Sequence, residues 1–168
     1  MGVSYSVEFK IKISEGCEDK VFKDLEDIIG IGHEKVIEHF HLDKVKQNGN
    51  NLETYLDLLK VFFSSYSEPA KDITVESNGG LSYNNDFDAD YVWLDVMNFI
   101  IQNIACYLDD YSYFHINAPD SALYIIYDGN AFKYTLHSDN IDKLYKKLSD
   151  DNKSEVKSDD GLAIRKEK

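Results

Sequence analysis

Five potential metal ligands lie close together in the first third of the chain. They are His33, Glu34, Glu38, His39 and His41. Glu38 and His41 have the Glu-x-x-His spacing of carboxylate-bridged di-metal helix bundles, but such a site needs a second copy of the motif and two more glutamates on facing helices. The next predicted helix offers only Glu53 and Asp57. We therefore interpret the cluster as a solvated helix face and predict neither a metal nor a cofactor.

Two groups of neighbouring side chains contain the residue types of nucleophilic catalysis. They are Ser112 with His115, and His137 with Ser138 and Asp139. Neighbours in sequence rarely form a catalytic triad, because its three groups come together from different elements. We predict a cross-strand histidine for the first group, a helix cap for the second, and no catalytic residues. An enzyme or small-ligand site near His115 is kept as the alternative.

Alternating acids at Asp86, Asp88 and Asp90 are typical of loops that bind calcium through oxygen. The residues that follow lack the glycine and the bidentate glutamate of an EF-hand. Turn formation and helix capping are therefore the predicted roles of these acids.

Acidic residues are concentrated in residues 72–132, a stretch of 61 residues that contains no Lys or Arg. Its ten acids give it a formal charge of −10, out of −13 for the whole chain. A surface of this sign repels phosphate backbones and anionic lipids and attracts basic proteins. We predict a basic protein partner, such as a nucleic-acid-binding effector or a nuclease, and neither direct nucleic-acid binding nor membrane binding.

The predicted partner-binding residues are acids, tyrosines and one histidine in the second half of this stretch. They are Asp109, Asp110, Tyr111, Tyr113, His115, Asp120 and Asp128. Asp109 and Asp110 follow the end of a predicted helix, where the dipole disfavours acids, so helix stability does not explain them. Tyrosine offers a rigid contact surface and a π face to Arg and Lys. The alternative is that the acids serve only solubility.

The elements that position these residues follow from hydrophobic periodicity. Strict alternation from Val3 to Ser14 predicts a strand with one buried face. Helical spacing predicts helices at Glu18–Ile29, at 33–46 and, capped by Asn51, up to Tyr66.

Turn residues and a second set of periodicities organise the region from Ile73 onwards. A short hairpin turns at Asn78-Gly79-Gly80, and a polar loop follows at Asn84–Asp88. Asp88 is predicted to cap a core helix at Ala89–Leu108. A three-stranded meander follows, with turns at Ala118–Ser121 and at Asp128-Gly129. The last predicted helix is capped by Ser138 or Asp139 and carries Ile141, Leu144, Tyr145 and Leu148 on one face.

Length and composition predict one α+β domain at 1–148, with helices against an antiparallel sheet made of the first strand and the meander. The 168 residues are enough to bury a substantial core. Residues 149–168 are polar and are predicted to form a disordered tail. Only two cysteines, no secretory leader and no long apolar run are found, so we expect a cytoplasmic protein.

The order of these elements resembles that of small acidic α+β proteins encoded by phages and mobile elements. In those proteins a helix leads through a short acidic or glycine-bearing turn into x-Y-x-x-I and then into a hairpin closed by Asp-Gly or Asn-Gly. Asp109–Ile116 and Asp128-Gly129 occupy those places, and the resemblance covers the first strand and Ala89–Leu136. It implies an inhibitor of host defence, as anti-CRISPR proteins are, or the immunity partner of a toxin.

Overall fold

An antiparallel sheet of seven strands forms the centre of the molecule, in the order β2-β3-β1-β4-β5-β6-β7. The strands are β1 (Val3–Ile11), β2 (Thr74–Val75), β3 (Leu81–Ala89), β4 (Tyr113–Ala118), β5 (Asp120–Tyr127), β6 (Asn130–Tyr134) and β7 (Leu162–Ile164). The α+β class is confirmed, and the first strand and the meander share one sheet as predicted.

The computed structural model describes residues 2–30, 52–63, 72–118, 120–135, 138–149 and 162–164. The predicted helix at 33–46 and the His/Glu cluster within it lie outside the described residues, as does His137.

Three helices of the described ranges cover one face of the sheet, which we call the inner face. They are α1 (Glu18–Gly30), α2 (Tyr55–Phe62) and α3 (Val92–Ile104), and a 3₁₀ turn at Ala105–Tyr107 follows α3. Val7 and Phe9 of β1 are fully buried against this layer. Trp93 of α3 is also fully buried, and its Nε1–H donates to the Phe62 carbonyl at 2.8 Å. The prediction of a core helix is confirmed.

The start of α2 differs from the prediction. Thr54, rather than Asn51, is the N-cap residue, and its side chain accepts from the Asp57 backbone N–H. Asp57 in turn accepts from the Thr54 N–H at 3.1 Å. This reciprocal capping box satisfies two backbone donors at once, which favours the later start.

The predicted polar loop at Asn84–Asp88 is wrong, because these residues continue β3. Each of them pairs with β1, which runs antiparallel to β3 from Val3 opposite Ala89 to Ile11 opposite Leu81. The prediction that Asp88 caps α3 is also wrong, since Asp88 lies in the strand and accepts from Ser4 Oγ at 2.6 Å. The helix begins at Val92, and the side chain of its N-cap residue, Tyr91, makes no capping hydrogen bond.

The meander of β4, β5 and β6 has the predicted strands but a different first turn. Asp120 and Ser121 were predicted in that turn and instead lie in β5, where they pair with Ala118 and Asn117. The second turn is confirmed, since Asp128 and Gly129 have φ angles of 49° and 73°. Two successive positive φ angles are the conformation of a type I′ hairpin turn.

The other face of the sheet, the outer face, is partly covered by α4 (Ser138–Ser149). Ile141, Leu144 and Leu148 of α4 pack on Leu123 and Ile125 of β5 in a small separate cluster. After α4, the residues of β7 pair with Ala131, Phe132 and Lys133 of β6. The disordered tail predicted from residue 149 therefore does not include Leu162–Ile164.

Candidate functional site

The chain turns sharply between the 3₁₀ turn and β4, and this turn carries three of the predicted site residues. The backbone N–H of Asp109 donates to the Lys12 carbonyl at 2.8 Å, and that of Tyr111 donates to the Ile126 carbonyl at 2.7 Å. Tyr111 has a φ angle of 67°, which is uncommon for a residue other than glycine. These bonds fix Asp109, Asp110 and Tyr111 between the ends of β1 and β5.

Asp128 joins this turn from the neighbouring hairpin, and we call Asp109, Asp110, Tyr111 and Asp128 the acidic corner. Asp110 Oδ1 accepts from the Asp128 backbone N–H at 2.8 Å. The rings of Tyr111 and Tyr127 lie 5.8 Å apart. The structure therefore brings four of the seven predicted binding residues together.

Two of the corner acids also stabilise the local structure. Asp109 accepts from Ser14 Oγ at 2.7 Å and lies 4.0 Å from the ammonium group of Lys12. The side chain of Asp109 is 44% exposed, so this ion pair is a weak one. The Asp128 N–H donates to the Asp110 carboxylate in the same way. These contacts give Asp109 and Asp110 a structural role that the sequence did not indicate.

An open cleft of about 480 Å³ adjoins the corner. Its walls come from β1, the turn between β2 and β3, the start of β4 and the end of α4. The ionisable groups that line it are Lys10, Lys12, Glu76, Asp109, Asp110, Tyr111 and Tyr113. His115 does not line this cleft, so the alternative site near His115 would need a different opening.

Tyr113 and His115 were predicted on the binding surface, but α4 covers both. Only 4% of Tyr113 and 9% of His115 are exposed. Their rings lie 5.7 Å and 4.8 Å from that of Tyr145 of α4. Burial, assisted by the negative charge of Glu8, raises the pKa of Tyr113 to about 12. The prediction that these two residues face a partner is therefore wrong for this arrangement of α4.

His115 is held by a polar contact beneath α4. Its Nε2 lies 3.0 Å from Ser121 Oγ of β5. Burial lowers the pKa of His115, and the nearby Asp142 carboxylate opposes this shift. The neutral imidazole is therefore the favoured form, because charging it would require desolvating a cation.

Asp120 lies at the opposite end of the meander from the corner. It begins β5, a strand of eight residues, whereas Asp128 follows the end of that strand. At about 3.4 Å per residue, more than about 20 Å separates the two backbone positions. The seven predicted residues therefore do not form a single surface.

Sequence analysis placed Asp86 and Asp88 in a loop, whereas both lie on the outer face of β3. Asp86 and Asp88 are exposed, whereas the intervening Phe87 is buried. The signal was present, since Leu81, Tyr83, Phe87 and Ala89 alternate with polar residues. Two asparagines and two aspartates, which are disfavoured in strands, obscured it.

The described ranges contain no group of three or more His, Cys, Asp or Glu side chains that could hold a metal ion. No helix within those ranges is both long and apolar enough to cross a membrane.

Comparisons with protein-family models, curated proteins and solved structures found no match. The resemblance to phage-encoded proteins therefore stays a prediction, and function must be argued from the surface of the molecule.

Proposed function

We propose that this protein has no catalytic activity and acts by binding and inhibiting a basic macromolecular partner. The supporting observation is that the acids of the Lys/Arg-free stretch lie at the surface. Of the nine acids in this stretch whose side chains the structure describes, eight are exposed, namely Asp72, Glu76, Asp86, Asp88, Asp90, Asp95, Asp110 and Asp128. Exposed carboxylates remain accessible to cations on another molecule, and their shared sign attracts a basic surface.

The acidic corner is the proposed point of contact because its carboxylates are held by backbone structure. Three carboxylates from two chain segments meet there, and Glu76 adds a fourth at the edge of the adjoining cleft. Such a preorganised group can take the place of nucleic-acid phosphates in the basic groove of an effector or a nuclease. Association driven by charge is fast and is weakened by salt.

The test is affinity capture from the native host at low and then high ionic strength. The corner variant is Asp109→Asn, Asp110→Asn and Asp128→Asn. The new amide oxygens at positions 109 and 110 can still accept from Ser14 Oγ and from the Asp128 backbone N–H. The matched control is Asp19→Asn, Glu26→Gln and Glu53→Gln, which removes three exposed acids outside the stretch. The corner variant should lose a basic partner that the parent and the control retain.

Inhibition is measured on the captured partner. Addition of the parent protein should reduce its nucleic-acid binding or cleavage, and the corner variant should not. Equal capture by all three proteins would show that the corner acids serve only solubility. The identity of the partner also decides the biological context, since a toxin would make this protein an immunity protein and a defence effector would make it an anti-defence inhibitor.

The contact between His115 and Ser121 favours a second candidate, a nucleophilic enzyme. A serine hydroxyl 3.0 Å from a neutral imidazole has the geometry of a nucleophile and its base. Labelling of Ser121 by a fluorophosphonate, lost in Ser121→Ala and in His115→Gln, would support this candidate. Absence of labelling in the folded parent would leave the contact as a structural one.

A further inference from the structure

The cleft beside the acidic corner carries charges of both signs. Its acidic groups are Glu76, Asp109 and Asp110, and it is also lined by Lys10 and Lys12. Two lysines at a surface proposed to attract cations weaken the binding of a uniformly basic partner, because like charges repel one another. The lysines therefore restrict the chemistry of the group that fits this cleft.

The strand order places the two lysines between the acids. Strand β1 lies between β3 and β4. At this end of the sheet, Ile11 pairs with the first residue of β3, which follows the turn containing Glu76. Lys10 pairs with the first residue of β4, which follows the turn containing Asp110. Across the cleft, the order of charge is therefore negative, positive, negative.

The two lysines can bind the same anion. Lys10 and Lys12 are exposed, whereas Ile11 between them is buried, so both side chains leave the same face of the strand, about 7 Å apart. The ammonium group of Lys12 lies 4.0 Å from Asp109 Oδ2, which is too long for a hydrogen bond, so this ion pair does not use the ammonium group's donors. A carboxylate has about four acceptor positions and can accept from two ammonium groups at once.

The acids on either side are held in place by hydrogen bonds. Glu76 Oε1 accepts from Ser82 Oγ at 2.6 Å, and Asp110 Oδ1 accepts from the Asp128 backbone N–H at 2.8 Å. Each carboxylate has further acceptor positions, so these bonds direct the group without preventing contact with a cation. Tyr111 also lines the cleft, and a tyrosine ring attracts cations.

We propose that the cleft binds an extended segment of the partner in which one Asp or Glu lies between two Lys or Arg residues at alternate positions. The partner's carboxylate contacts Lys10 and Lys12, and its flanking cations contact Glu76 and Asp110. Alternate residues of an extended chain lie about 7 Å apart and neighbouring strands about 5 Å apart, so the long side chains of such a segment can match the three charges. The inference rests on the proposed function, since it assumes a basic partner, and it deepens that function by specifying the partner's pattern of charge.

The probes are three synthetic peptides of five residues, capped at both ends. The first is lysine-threonine-glutamate-threonine-lysine, and the other two have glutamine or lysine at the central position. If only the net charge of the protein mattered, the glutamate peptide would bind most weakly, because it carries the least positive charge. The proposed contact predicts the opposite. In NMR titrations at low ionic strength, the parent should bind the glutamate peptide at least about threefold more tightly than the glutamine peptide, because two ion pairs are added.

Lysine variants of the protein test the same contact. In Lys10→Gln with Lys12→Gln the preference should reverse, so that the glutamate peptide binds most weakly of the three. The control is Lys20→Gln with Lys23→Gln, which removes two exposed lysines from α1 on the inner side of the sheet. This control has the same net charge as the first variant and should keep the preference of the parent. Thermal unfolding monitored by circular dichroism checks that both variants fold.

Equal or tighter binding of the glutamine peptide by the parent, or no binding of either peptide, would overturn the inference. So would a captured basic partner that Lys10→Gln with Lys12→Gln binds at least as tightly as the parent does, even though the capture itself would uphold the proposed function. Failure to capture any basic partner, with the peptide preference as expected, would count against the proposed function alone.

Discussion

The two faces of the central sheet are built differently. On the inner face, Trp93 and Phe62 of the described helices join Phe9 of β1 in one continuous apolar cluster. On the outer face, α4 packs on β4 and β5 through a small cluster around Tyr113 and Leu144. On this face, the described side chains of β1 and β3 are polar or charged and include Glu8, Lys10, Asp86 and Asp88.

Because of this difference, the two faces contribute unequally to the stability of the fold. Burial of apolar surface stabilises a fold roughly in proportion to its area, so most of the stabilisation comes from the inner layer. The outer face contributes less to stability. Substitutions among its polar residues should therefore change the free energy of unfolding only slightly. The proposed binding surface at the acidic corner is therefore compatible with a rigid scaffold.

The sharpest test of this comparison is removal of the largest inner side chain. Trp93→Ala should lower the free energy of unfolding by about 3 to 5 kcal/mol, because it leaves a cavity and removes the hydrogen bond that Trp93 donates to the Phe62 carbonyl. Chemical denaturation monitored by circular dichroism measures this change. Phe99→Ala on the same helix is the comparison, since Phe99 is 46% exposed and should cost no more than about 1.5 kcal/mol.

The same kind of substitution on the outer face should have a smaller and more local effect. Leu144→Ala removes a buried side chain of α4 and should cost about 2 kcal/mol, near the lower end of the usual range for leucine. Hydrogen exchange should become faster in α4 while the amides of α3 remain protected. Lys143→Ala, at an exposed neighbouring position, serves as the control. Equal acceleration in α3 and α4 would show that the two layers unfold as one unit.

The inner layer could be predicted from the sequence because its residues repeat with a clear period. The alternation in β1 and the apolar stripe around Trp93 each predict an element and its buried face. The outer face could not be predicted in the same way. The alternation of side chains along β4 predicts that Tyr113 and His115 lie on the opposite face from Phe114. It cannot show that a helix more than twenty residues later in the chain covers them.

Tertiary pairing also decided the structure of β3. Asn84, Asn85, Asp86 and Asp88 favour turns when considered locally. Pairing with β1 along the whole strand supplies backbone hydrogen bonds, and these outweigh the local preference for a turn. The acidic corner was predicted in part, since Asp109 and Asp110 were expected beside a turn, but their bonds to Ser14 and Asp128 depend on contacts distant in sequence.

A pH titration tests the covered part of the outer face. Burial lowers the pKa of His115, so as the pH falls below about 6.5 the unfolded chain takes up a proton before the folded one does. Stability from this group is therefore present above about pH 6.5 and is lost as the pH falls towards the lowered pKa. The groups around it are Glu8 on β1, Ser121 on β5, and Asp142 and Tyr145 on α4.

The measurement compares the parent with His115→Gln at about pH 7.5 and about pH 5.5. The parent should lose more stability than the variant between these values. Burial raises the pKa of Glu8, and the positive charge of Lys10 opposes this shift. The raised pKa makes the folded protein more stable as the pH falls, which is opposite to the effect of His115. Because Glu8 is present in both proteins, its contribution cancels when their stability changes are subtracted. Identical pH profiles would show that His115 becomes protonated without disturbing α4.

The smallest expected effect concerns the acidic corner, where a charge can be removed with almost no change in stability. Asp128 has a positive φ angle of 49° in a type I′ turn, a position that asparagine occupies at least as readily as aspartate. Asp128→Asn should therefore change the free energy of unfolding by no more than about 0.5 kcal/mol, and in the stabilising direction if at all. Gly129→Ala at the next position, with a φ angle of 73°, should instead cost about 1 kcal/mol or more because of backbone strain. If Asp128→Asn destabilised the protein as much as Gly129→Ala, the carboxylate itself would be a structural requirement of the turn, and loss of binding in the corner variant could not be assigned to the surface charge.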